Sequence, residues 1–259
     1  MLDTTAVIII ALVVVGLGAG TLGSMLGVGG GIVMVPILTF MGLQHSEAAA
    51  TSLFAVTSTS VSSTVAYSRQ KRIDYKRAVQ LAIAAVPGAV LGVFISKGIS
   101  DAEFKLYFGI LLMAVGMYVM FKSSILKEKR QHEMSIVQHV AVFAITFGAG
   151  IISSLFGVGG GTIFVPVMLL IYRMTMHSAA ATSQMALMIT SFAGIFTHAL
   201  VGNPNYLYAV ALSAGAFIGA QVGARWSKNT RETLLRRMLG VVLVAVSVTF
   251  ILEGLGVKL

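Results

Sequence analysis

The sequence predicts an all-α polytopic membrane protein made of two inverted repeats, each with four long transmembrane helices and one short hairpin or re-entrant helix after a GVGGG break. Three observations predict it. Hydrophobic residues fill 57% of the 259 positions and charged residues only 10%, against roughly half and a quarter in soluble domains. Apolar runs of about 20 residues, enough to cross a hydrocarbon core of about 30 Å as a helix, recur along the chain. The motif GVGGGIVMVPIL at 27–38 returns as GVGGGTIFVPVM at 157–168.

The first run, 5–26, follows Met-Leu-Asp-Thr-Thr. That stretch lacks the basic n-region of a cleavable signal peptide, so the run is expected to be kept as a mature segment. Gly16, Gly20 and Ser24, spaced by four, mark a face for close helix contact. Each glycine in a helix interior costs about 1 kcal/mol relative to alanine, so the helix stops at the triplet 29–31. A short segment, 32–42, restarts with Pro36 expected in its first turn, where a missing N–H is harmless. Long segments follow at 47–68, 77–96 and 104–121, the first of them rich in serine and threonine. The second half repeats the order at 136–156, 162–172, 178–200, 206–224 and 238–255. Residues 1–122 and 136–259 thus form the two repeats, joined by a cytoplasmic linker at 123–135.

The repetition is visible in the letters. From Ser24 to Leu38 against Ser154 to Met168, eight of fifteen positions are identical, and AAATS at 48–52 recurs at 179–183. Gly88, Gly92 and Asp74-Tyr75 match Gly219, Gly223 and Asn205-Tyr206 at an offset of 131. Basic residues then set the topology. Arg69, Lys71, Arg72, Lys76 and Arg77 cluster after the third segment, Lys122, Lys127, Lys129 and Arg130 after the fifth, and Arg225, Lys228, Arg231, Arg236 and Arg237 after the ninth. With Arg173, 15 of the 18 basic residues fall on one side, cytoplasmic by the positive-inside rule, leaving Lys97, Lys105 and Lys258 opposite. Both termini are expected outside, in the periplasm. The count closes only if each short segment returns the chain to its starting side, which inverts one half relative to the other. Inverted repeats with a broken element at corresponding positions point to a secondary transporter whose site lies near the bilayer midplane.

A glycine tip followed by a helix N-terminus offers backbone N–H groups and a positive dipole end, which suit an anion. The candidate substrate-binding residues are Gly29, Gly30, Gly31, Thr51 and Ser52 in the first half and Gly159, Gly160, Gly161, Thr182, Ser183 and Gln184 in the second. Gly27, Pro36, Gly157 and Pro166 would shape the hairpins. The same glycines also suit tight turns between packed helices, and the hydroxyls suit bonds to carbonyls a turn earlier or on neighbouring helices. No lysine or arginine lies in the central part of a segment, so affinity is expected to be moderate and a multiply charged ligand disfavoured.

Other chemistries find little support. The absence of cysteine removes thiolate metal sites and cysteine nucleophiles. The glycine runs lack the lysine of a phosphate-binding loop, and neither GxSxG nor HExxH occurs. His45, His177 and His198 lie at segment ends without metal-ligand spacing. Neither metal, cofactor nor catalytic residue is expected. The net charge of +9 resides in short loops and reads as topology rather than nucleic-acid binding. The expected partners are a small anion and the lipid bilayer, with a homo-oligomer left open. A channel of the same fold, or a scaffold whose glycines serve packing alone, are the rival readings.

The paired GVGGG-x3-VP motifs, each followed by AAxTS, resemble the sulfite exporter TauE/SafE family, also called the 4-toluene sulfonate uptake permease family. The resemblance spans essentially the whole chain. It implies a transporter of the inner membrane that moves sulfur-containing anions such as sulfite, sulfonates or sulfoacetate, with export the expected direction and no prosthetic group.

Overall fold

The structure, a computed structural model, describes residues 4–96, 100–121, 136–201 and 204–256. The linker predicted over 123–135, the basic residues at 122–130, and Lys97 and Lys258 lie outside the described residues.

The described residues form ten helices and no strand. These are α1 (Thr4–Leu26), α2 (Gly31–Phe40), α3 (His45–Arg69), α4 (Tyr75–Ile95), α5 (Asp101–Phe121), α6 (Ile136–Phe156), α7 (Gly161–Leu170), α8 (Met176–Val201), α9 (Tyr206–Asn229) and α10 (Glu232–Gly254). Six of them, α1, α4, α6, α8, α9 and α10, are long and apolar enough to cross a membrane. The protein is a multi-pass membrane protein. Val14, Ile83, Phe143, Phe196 and Val210 face outward and exposed, as lipid-facing side chains do.

Helix α3 is as long, at 25 residues, but its serines and threonines suit it poorly to lipid. The fold buries it instead: Thr51, Ser52, Thr59, Ser60, Ser62 and Ser63 are fully covered. Its hydroxyls form a seam with α9, where Ser58 donates to the Ser213 carbonyl at 2.8 Å and Ser62 to the Phe217 carbonyl at 2.7 Å. On α8 the corresponding positions are Ile189 and Ala193, which carry no hydroxyl.

Glycine stripes set the closest helix contacts. A Cβ on Gly20 of α1 would lie 2.8 Å from Ala216 Cα of α9, and one on Gly92 of α4 would lie 3.0 Å from Ile151 Cα of α6. Backbones approach this closely only where no side chain intervenes.

Two boundaries differ from the sequence reading. Helix α9 runs five residues past 224 and α10 starts six residues before 238, so most of the basic stretch 225–237 is helical. A helix satisfies its own backbone whatever its side chains, and lysine and arginine reach from its ends to the membrane surface. Pro36 and Pro166 are the sixth residues of α2 and α7, not members of the first turn. The helices begin at the last glycine of each triplet, so each proline withholds an amide from the carbonyl four residues earlier.

Candidate functional site

The chain after α1 turns through Gly27, Gly29 and Gly30 at φ of 78°, 82° and 86°. Side chains rarely adopt this left-handed conformation. Gly157 and Gly159 repeat it at 64° and 79°, whereas Gly160 is right-handed at −65°. In the first tip the Gly27 amide donates to the Ser24 carbonyl, and the amides of Val28 and Gly29 donate to the Gly23 carbonyl at 2.9 and 3.2 Å. The amides of Gly30, Gly31 and Ile32 find no acceptor among the described residues, nor do those of Gly160, Gly161 and Thr162 in the second tip. This follows from helix geometry, which leaves the first N–H groups of any helix unpaired.

The two tips meet. A Cβ on Gly31 would lie 2.7 Å from Val158 Cα, and one on Gly161 would lie 2.7 Å from Val28 Cα. The starts of α2 and α7 therefore abut, each against the tip that precedes the other.

The AAATS segments hold this arrangement. Gly27 rests on the backbone of Ala180, and Gly157 on that of Ala49. Ser52 donates to the Gly157 carbonyl at 2.8 Å and Ser183 to the Gly27 carbonyl at 2.6 Å. Thr51 accepts the Asn205 amide, and Thr182 the Asp74 amide, each at 3.0 Å. Asn205 and Asp74 in turn cap α9 and α4 through the amides of Tyr208 and Arg77. Gln184 donates to the Gly23 carbonyl at 2.7 Å, while its own carbonyl oxygen is buried without a partner.

The serine protons predicted to meet a ligand are thus engaged in tying each central helix to the opposite tip. A hydroxyl has one proton to give. What is left to meet a ligand at the tips is the unpaired amides, the positive ends of two helices and the hydroxyl of Thr162, buried in the first turn of α7 without a partner. Sequence reasoning did not foresee the roles of the alanine triplets or of the paired N-caps Asp74 and Asn205. Their matched spacing at 131 was the available signal.

Beyond the tips the two halves differ. Tyr67 donates to the Ser24 carbonyl at 2.8 Å; at the matching place His198 Nε2 lies 3.1 Å from the Ser154 carbonyl. Arg72, in the turn between α3 and α4, stacks on the Tyr67 ring at 4.7 Å and donates to the His177 carbonyl, Ser227 Oγ and Gln70 Oε1. Burial lowers its pKa from the ordinary arginine value, an effect that Tyr67 partly offsets.

The family model for the sulfite exporter TauE/SafE matches residues 12–250. The chain belongs to the sulfite exporter TauE/SafE family. The probable membrane transporter protein YunE of Bacillus subtilis is 32% identical, with 95% of this chain and 98% of the relative covered. A probable membrane transporter protein of Methanocaldococcus jannaschii is 28% identical over 89% of this chain and 92% of its own length. YfcA of Escherichia coli, also named a probable membrane transporter protein, is 22% identical over 92% and 87%. No solved structure matches the chain.

Proposed function

We propose that this TauE/SafE protein is a secondary transporter that exports small sulfur-containing anions of the sulfite, sulfonate or sulfoacetate class across the inner membrane by alternating access. The observation that carries the reading is the meeting of two helix N-termini, α2 and α7, with unpaired amides at Gly30, Gly31, Gly160 and Gly161. Each terminus favours an anion by about 0.3–1 kcal/mol, and by about 2 kcal/mol where partly buried. The carbonyls of Gly27 and Gly157, which would repel an anion, already accept from Ser183 and Ser52. Such a site binds one small charge moderately and releases it, as a carrier must.

In this reading the halves 1–122 and 136–259 are inverted repeats with both termini in the periplasm, and the hairpins α1–α2 and α6–α7 enter from opposite sides. The pairings support it: α1 packs on α9 as α6 packs on α4, and α3 packs on α9 as α8 packs on α4. Each AAATS segment also holds the other half's tip.

Purified protein in proteoliposomes provides the test. Saturable sulfite uptake, accelerated by unlabelled sulfite or methanesulfonate inside, is the expected result, with sulfate a weaker competitor than methanesulfonate or, at mildly acidic pH, hydrogen sulfite. Uptake linear in concentration without exchange would indicate a channel, and no uptake of any sulfur oxyanion would remove the substrate class.

A further inference from the structure

We propose that Val56 and Leu187 form an apolar gate that closes the contact between the two tips and limits the size of the anion that passes. This rests on the reading of the tips as the substrate site. The two residues stand at corresponding positions, 131 apart, on α3 and α8, and both are fully buried. They converge on the same glycines. A Cβ on Gly29 would lie 2.9 Å from Val56 Cγ1 and 3.3 Å from Leu187 Cδ1; one on Gly159 would lie 3.0 Å from Val56 Cγ1 and 3.1 Å from Leu187 Cδ2. Leu187 also comes within 2.9 Å of the Cβ position of Gly161, the first residue of α7.

Methyl groups of two helices therefore cover Gly29 of the first tip and Gly159 of the second. An anion approaching the amide of Gly161 meets the Leu187 methyl first, and a constriction lined this way excludes water and ions until its side chains move aside. This gives the tip glycines a second use. A Cβ at Gly29 or Gly159 would crowd both side chains, so glycine is what lets Val56 and Leu187 pack this closely on the tips. The two leaves differ in freedom. A β-branched valine in a helix holds one χ1 rotamer, whereas leucine has alternative rotamers to swing through. Leu187 is the moving leaf and Val56 the fixed one.

Counterflow by the full-length protein in proteoliposomes, with labelled sulfite, methanesulfonate and benzenesulfonate, tests the gate. Leu187→Ala is expected to raise the benzenesulfonate-to-sulfite rate ratio at least about tenfold, the lower end of what one methylene is worth in an apolar pocket. Val56→Ala should raise it less. The exchange Val56→Leu with Leu187→Val keeps the total side-chain volume and should keep the wild-type ratio. Should Leu187→Ala fail to fold, Leu187→Val, one methylene smaller, should give a smaller rise of the same sign. An unchanged ratio in folded variants, with sulfite counterflow intact, overturns the gate and leaves the tip site standing. A wild-type protein that carries none of the three anions overturns both.

Discussion

Ser52 of α3 donates its proton to the carbonyl oxygen of Gly157 at 2.8 Å, across 105 residues of sequence. Ser183 and Gly27 repeat the bond at 2.6 Å. Both serines are fully buried, so each bond is made without competition from water. The two ties fix where the tips sit and which backbone groups they expose.

Ser52→Ala and Ser183→Ala should each lower stability by about 0.6–1.7 kcal/mol, the scale of hydrogen bonds between helices in membranes. Unfolding in mixed micelles with increasing denaturing detergent measures it. Sulfite transport should fall further than stability does, because the freed carbonyls then face the tip contact.

Alanine scanning of glycines should separate the tips from the lipid-facing positions. Gly31→Ala and Gly161→Ala drive a Cβ into the opposite tip's backbone, which has no rotamer to retreat to, and should cost about 2–3 kcal/mol or prevent folding. Gly18→Ala and Gly148→Ala meet open space and should be neutral or stabilising by up to about 1 kcal/mol. Thermal midpoints and size-exclusion profiles in detergent read both sets.

Ser24 and Ser154 occupy the same place in the two halves but not the same surroundings. Ser24 Oγ accepts from Ser63, whereas Ser154 Oγ is buried without a partner beside Gly194, the residue that matches Ser63. Ser24→Ala orphans the Ser63 hydroxyl and should cost about 1 kcal/mol, while Ser154→Ala removes an unsatisfied group and should be neutral or stabilising. Denaturant midpoints of the two variants should therefore move differently.

Lys105 of α5 pairs with Glu253 of α10 at 2.6 Å, with the side chains only 16% and 15% exposed. Lys105→Met or Glu253→Gln alone leaves a poorly solvated charge and should destabilise by about 2 kcal/mol. The double variant should recover at least half of that loss. A double-mutant cycle on unfolding free energies provides the measurement.

Much of the scaffold was legible in the letters because its signals are local. The segments read between the loops locate all ten helices, the serine- and threonine-rich α3 included, since backbone at membrane depth must be paired internally and a helix does so within one segment. The triple glycines locate the breaks for the same reason. The boundaries near 224 and 238 were misplaced because charge ends a hydrophobic run without ending a helix. Pro36 falls outside the first turn even for a start at residue 32, because one turn takes only about 3.6 residues.

By itself, then, the sequence determined the membrane class, the helices, the breaks and the family. Only the tertiary structure decided what the conserved-looking letters of its two halves touch. Ser52 and Ser183 reach carbonyls more than a hundred residues away, Thr51 and Thr182 hold N-caps, and Val56 and Leu187, unremarkable within their helices, converge on the same glycines. The physical reason is that a hydroxyl or a methyl has no directionality along the chain. Its partner is fixed by which helices pack together, and that depends on all of them at once.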